Sequence, residues 1–259
     1  MKAFLNIVLF FLCSFALAAQ SSFEGFAQLS DKNTVVLKHE GYASCFSTIT
    51  NTPLWVAWEL TPQKASAQTA SRTDEFLPDP LLGERSPLAR DYSRSGYDRG
   101  HMAPAADFKW SWTAMEESFY MSNICPQNHT LNGEGPWLGL EKQCRAWGKR
   151  YPRLYMVAGP LFSKTPKFIG NSCKVAVPRA FFKVILKEFK GHWYAIGFVF
   201  PNEEITGEGT FFEYACSVDQ IEKLSGIDFF PFLSDEVEER VESQTILADW
   251  NYYLIKFAY

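Results

Sequence analysis

The sequence predicts an α+β fold, an antiparallel central sheet with flanking helices, and three observations carry that expectation. Apolar runs with strand-like alternation recur along the chain, two pairs of them joined by tight turns. Stretches with helical period are few and short. No Gly/Ser- or Pro-rich linker interrupts the chain after residue 23, so its 259 residues are expected to form one domain. That length supports a full hydrophobic core without disulfides.

In chain order, residues 1–19 read as a secretory signal peptide: Lys2, an apolar run, then Ala16-Leu17-Ala18-Ala19. A mitochondrial transit peptide would carry Arg and an amphipathic pattern, and neither is present. Residues 20–259 are then the mature domain, exported to a periplasm or secreted, with no membrane segment after signal removal. Residues 34–38 and 42–49 alternate around Glu40-Gly41 as a hairpin. Residues 54–60 read as a buried strand ended by Pro62. Residues 61–100 show no clear period, and so long a loop is often functional. Residues 112–122 have helical spacing, and a second helix is expected from Gly135 or Pro136. Residues 151–157, 180–186 and 192–200 read as strands, the last two joined through Lys190-Gly191. Ser217 opens a short helix that stops at Gly226, and 234–242 forms an acidic helix.

Composition removes several classes. Aromatic residues at 16% exclude a mainly disordered chain. The net charge of −4 hides an asymmetry: 141–190 holds twelve Lys/Arg against two Asp/Glu, and 202–249 holds two against thirteen. Two solvated faces are the common reading; a basic surface for a polyanion is the sharper one. Removal of Cys13 with the signal leaves Cys45, Cys125, Cys144, Cys173 and Cys216, with disulfides allowed in an exported protein. No Cys-x-x-Cys is present, so a structural zinc site is not expected.

Two stretches carry chemistry. The first is Tyr97-Asp98-Arg99-Gly100-His101-Met102-Ala103-Pro104. His101 is suited to take a proton near neutral pH, Arg99 to neutralise a phosphate, and Asp98 to orient a neighbour. Gly100 allows a sharp bend or a close approach. A surface salt bridge beside a turn histidine is the plain alternative. The second runs from Ser122-Asn123-Ile124-Cys125-Pro126-Gln127 through Leu131-Asn132 to Trp137-Leu138-Gly139-Leu140-Glu141. Amide oxygens and a carboxylate are hard ligands, fitting Mg²⁺ or Ca²⁺ better than Zn²⁺. For each Asn, a cap or a turn is the commoner role.

Over roughly residues 33–250, with these motifs in order, the chain resembles the DNA/RNA non-specific endonucleases of the ββα-metal class. The resemblance implies an endonuclease for DNA, with RNA as a second substrate, that has little sequence preference and leaves 5′-phosphate ends. It implies one Mg²⁺-type ion, with Mn²⁺ or Ca²⁺ as alternatives. It implies His101 as general base, Asn132 as the protein ligand of the metal, and Glu141 holding metal-bound water. Arg99 would lie near the scissile phosphate, and Arg72 would stabilise charge on the phosphorane. Asp98, Asn123 and Gln127 would support the site through hydrogen bonds. A homodimer is left open.

One departure stands out. The stretch from Asn132 to Glu141 is one residue longer than the family pattern, which is expected to leave Asn132 on a loop and places Glu134 near the metal shell. The helical period from Pro136 puts Leu140, Cys144 and Trp147 toward the core, with Glu141 beside that stripe. The alternative function is a catalytically weak or inactive nucleic-acid-binding module of the same fold. His39, His129 and His192 are assigned structural or exposed roles, and the eight Trp are assigned mostly to the core.

Overall fold

The computed structural model describes residues 23–250. The segment read as a signal peptide lies outside the described residues, as do both ends of the 20–259 domain.

The elements that place the site are these, in chain order: β1 (Thr34–Lys38), β2 (Tyr42–Ser47), β3 (Thr52–Leu60), α1 (Pro62–Ser66), β4 (Asp98–His101), α2 (Trp112–Glu117), β5 (Ile124–Gln127), α3 (His129–Gly133), α4 (Pro136–Arg150), β6 (Leu154–Leu161), β7 (Ala180–Phe189), β8 (His192–Pro201), β9 (Ala215–Cys216), α5 (Val218–Ser225) and α6 (Asp235–Glu242). Seven strands form one antiparallel sheet in the order β9-β8-β7-β6-β3-β2-β1. The α+β expectation holds.

Strand alternation splits the core into two layers. Val56, Trp58, Phe181 and Ile185 face the layer that holds α4, while Trp55, Ala57, Phe182 and Val184 face the layer that holds α5 and α6. The turn between β7 and β8 uses Lys190 (φ 55°) and Gly191 (φ 76°), which suits the twist of a tight hairpin. Pro62 opens α1 at its first turn rather than simply ending β3.

Helix α4 starts at Pro136, with Gly135 as its N-cap. It buries Trp137, Leu140, Cys144 and Trp147 against the sheet, and each large apolar side chain so removed from water contributes ~1.5–3 kcal/mol. Ser217 caps α5 by accepting from the Gln220 N–H at 3.3 Å, and Gly226 ends it in the left-handed conformation at φ 71°.

Three expectations need correction. Asn132 lies in the short helix α3, not on a loop, because Asn128 caps that turn by accepting from the Thr130 and Leu131 N–H groups before α4 begins at Pro136. The five cysteines are all free among the described residues, being spread over β2, β5, α4, a loop and β9, so the disulfides allowed above do not form. Trp112 is 57% exposed rather than in the core. No helix among the described residues is long and apolar enough to cross a membrane.

Candidate active site

The site grows from a two-stranded hairpin apart from the main sheet. β4 and β5 pair antiparallel, with Asp98 opposite Gln127, Gly100 opposite Cys125 and His101 opposite Ile124. A Cβ on Gly100 would lie 2.1 Å from Gln127 Oε1, so glycine here serves the close approach of the facing side chain. Gln127 is fully buried, and neither end of its amide has a hydrogen-bond partner. Asn123 is the opposite case. Its Oδ1 accepts from Ala103 N–H at 2.9 Å, and its Nδ2 donates to the carbonyls of Ala103 and Ser118 at 2.9 and 2.8 Å. It therefore fixes the chain just after His101.

Strand alternation puts Arg99 and His101 on one side, and two phenylalanines hold them there. The His101 ring lies 5.4 Å from Phe76 and 4.9 Å, edge-on, from Phe119. The Arg99 guanidinium sits 5.3 Å over the Phe76 ring and that of Arg72 5.1 Å over Phe119, so each arginine stacks on a ring that also packs the histidine. Arg99 is further anchored by two donations to the Ala89 carbonyl, at 3.1 and 2.9 Å. Arg72 is exposed and donates to Asp74 at 2.5 Å. Burial, and then the Arg72 charge, push the His101 imidazole down to about 3, with Asp74 opposing. His101 is thus neutral at pH 7, the form that accepts a proton. Its Nε2 is buried without a partner. Phe76 and Phe119 escaped the sequence reading because only their aromatic character was visible, and a ring packed on a histidine leaves no spacing signature.

The second half of the site is tied to the first through Asp98. Asp98 Oδ2 accepts from Asn132 Nδ2 at 3.0 Å and lies 3.0 Å from His129 Nδ1. This commits the Asn132 amide nitrogen and leaves Oδ1 as the atom available to a cation. A hard oxygen donor beside a carboxylate fits a hard divalent ion. His129, assigned a bland role from its sequence context, therefore helps to hold the Asp98 carboxylate.

Glu141, on α4, is set among other charged groups. Burial pushes its carboxyl up, while Lys183 and Arg145 pull it back and Asp107 adds to the rise. Asp107 accepts from the Trp58 indole at 2.9 Å and from Arg145 at 3.1 Å. Lys183 is fully buried, has no hydrogen-bond partner at Nζ, and lies 4.2 Å over Trp137 and 5.3 Å over Trp58. Glu141 makes no hydrogen bond with Asp98, His101 or Asn132; what surrounds it is this charge group between α4 and the sheet. Glu134 is exposed at the end of α3.

The basic stretch 141–190 is not one surface. Lys183 and Lys187 are buried, while Lys142, Arg145 and Arg153 are paired with acids. Lys164, Lys167, Lys174 and Arg179 remain exposed on the segment between β6 and β7. That segment is fastened beside the Arg99 anchor: Asp91 accepts from Ser172 N–H at 2.8 Å and Cys173 N–H at 3.2 Å, and Lys167 lies 5.4 Å over Tyr97.

Comparison with known proteins shows the family. A family model described as DNA/RNA non-specific endonuclease matches residues 21–236. The chain belongs to the DNA/RNA non-specific endonucleases. This endonuclease is 35% identical over 244 residues to the mitochondrial nuclease of Saccharomyces cerevisiae, covering 84% of this chain and 73% of that one. It is 32% identical over 224 residues to human endonuclease G, mitochondrial, with 82% and 73% coverage. It is 38% identical over 213 residues to the mitochondrial nuclease EXOG of Xenopus laevis, covering 77% of this chain and 59% of that protein. A chain of the crystal structure of the EndoG/EndoGI complex superposes with a TM-score of 0.72 at 28% identity, covering 78% of this chain and 88% of that one. The central sheet with the β4–β5 hairpin and its helix is the ββα-metal fold.

One expectation about this endonuclease is overturned here. The relatives are named mitochondrial, so export to a periplasm or to the medium does not stand. An apolar run after a single lysine satisfies the export pattern, but hydrophobicity alone does not specify a compartment.

Proposed function

We propose that the chain hydrolyses phosphodiester bonds in DNA, and in RNA as a second substrate, at the hairpin site with little regard for sequence. The observation that carries this reading is the joint placement of His101, Arg72 and Arg99 around Phe76 and Phe119. A neutral imidazole, held by ring packing beside two guanidinium groups, suits attack by water on an anionic phosphorus centre. His101 accepts the proton of the attacking water through its Nδ1, because Nε2 is sealed in the protein. Arg72, exposed, stacked on Phe119 and paired with Asp74, can turn onto the phosphate as charge develops; Arg99 sits in a fixed place and orients it. Asn132 Oδ1 would hold a divalent ion of the Mg²⁺ type, and Glu141 would aid it from α4. Such an ion would supply positive charge to the reacting phosphate, and loss of the 3′ oxygen would leave 5′-phosphate ends. Lys164, Lys167, Lys174 and Arg179 give a polyanion a rim that contacts backbone and carries no sequence information. Taking the relatives' printed compartment over to this chain, we place it in the mitochondrion.

A plasmid-nicking assay tests the reading. Wild type is expected to nick with Mg²⁺ and stop with EDTA, and His101→Ala to lose ~10²–10⁴-fold while melting as a folded protein. Nicking by pure His101→Ala at wild-type rate would remove the imidazole from the reaction. Tight binding without nicking by wild type would favour the binding-module alternative.

A further inference from the structure

The acidic stretch 202–249 is not used by the catalytic site. Its first part lies with α4, where Glu208 pairs with Lys142, but its later part forms α5 and α6 on the opposite layer of the sheet, which pack together and bury Val218, Ile221 and Val241. On these helices, one carboxylate oxygen each from Asp219, Glu222 and Glu242 lies within 4.8 Å of the other two. Glu242 is only 2% exposed, and its Oε1 has no hydrogen-bond partner. Such an orphaned buried oxygen is rare and unfavourable unless something satisfies it. Nothing basic does so here. The charges acting on Glu242 come from Glu222, Glu238, Asp219 and Asp228, all of them acids. Glu222 is held in place by the Phe229 N–H, 2.9 Å from its Oε1, and Asp219 is exposed, so the cluster is anchored at one end and open at the other.

We propose that Asp219, Glu222 and Glu242 bind a hard divalent cation of the Ca²⁺ type, at a site separate from the catalytic hairpin. The chemistry of the donors points there: all are carboxylate oxygens, which suit Ca²⁺ and Mg²⁺ over Zn²⁺. The number of donors favours Ca²⁺: three protein carboxylates suit its large, flexible shell, whereas Mg²⁺ usually takes one or two carboxylates and keeps several waters. Asp228 and Glu238 lie close enough to add negative charge, and water completes the shell on the open side. The ion would bridge α5 to α6 and so fasten the helical layer beneath β8.

The experiment uses the full chain carrying Asn132→Ala, which removes the catalytic metal donor, so that Ca²⁺ added alone reports on this second site. Calorimetry is expected to show one Ca²⁺ per chain and the melting temperature to rise with Ca²⁺. Adding Asp219→Asn, an exposed change that leaves the core intact, should weaken Ca²⁺ binding at least tenfold; adding Glu242→Gln should abolish it. Glu242→Gln in the otherwise native chain should nick DNA with Mg²⁺ at the wild-type rate, which separates this site from catalysis. The proposal is overturned if Ca²⁺ gives neither heat nor thermal shift in the Asn132→Ala chain. It is equally overturned if the shift survives both acidic substitutions. Stabilisation by Glu242→Gln in EDTA with no Ca²⁺ response in its parent would show instead that a shared proton occupies the cluster.

Discussion

Asp98 holds Asn132 by a 3.0 Å hydrogen bond between its Oδ2 and the amide Nδ2, so a strand residue decides which end of the Asn132 side chain is offered to a cation. The same oxygen is shared with His129. Asp98→Ala frees the amide to rotate. Support of this kind typically changes metal affinity or activity by ~10–100-fold. We expect that loss in nicking, accompanied by a higher Mg²⁺ requirement. A variant with the Mg²⁺ dependence of wild type would show that Asn132 needs no such orientation.

The pH dependence should reveal Arg72. Burial and the Arg72 charge hold the His101 imidazole down at about 3, so it stays neutral far into acid. The acid limb of kcat/KM is therefore expected well below the ordinary ~6.5 of histidine. Arg72→Gln removes a repelling charge and should move that limb upward, besides lowering the rate. An unmoved limb in Arg72→Gln would mean that another group sets it.

Gly100 has a single steric job. Its missing Cβ makes room for Gln127, whose Oε1 would stand 2.1 Å from it. Gly100→Ala must push β4 and β5 apart, an overpacking that costs ~1–3 kcal/mol. Both a lower melting temperature and a larger fractional loss of nicking are expected, because the strand being moved carries His101. A melt and a rate matching wild type would show that Gln127 yields easily.

Beneath the site, His39 gives stability its own pH signature. Burial lowers its pKa, but hydrogen bonds and charge from Asp79 and Glu117 overcome that and raise it to about 8. Asp79 lies 3.0 Å from His39 Nε2, and Ser122 donates to the same carboxylate. Since the folded pKa is raised, the contribution is complete below ~6.5 and disappears as pH rises through about 8. For this shift it amounts to about 2 kcal/mol, or ~4–8 °C in a protein of this size. Comparing His39→Gln with wild type, we expect the gap in melting temperature to be wide at pH 6 and narrow at pH 9. A constant gap would mean that the imidazole is neutral throughout.

Much of the endonuclease is legible in its sequence. The hairpin at 34–47, the turn at Lys190-Gly191, the start of α4 at Pro136 and the stop of α5 at Gly226 are local: period, turn chemistry and capping act within a few residues. The motif around His101 was legible for the same reason, since neighbouring residues of one strand stay neighbours in space. What only the tertiary structure decided involves groups far apart in sequence. Phe76 and Phe119 meet at His101, and Asp107, Arg145 and Lys183 gather around Glu141. Burial also removed Lys183 and Lys187 from a basic stretch that looked like surface, because strands crossing a two-layer core carry their charges inside with them. Residue types and local order are written in the chain. Which charges lose their water, and what they then face, is settled by packing alone.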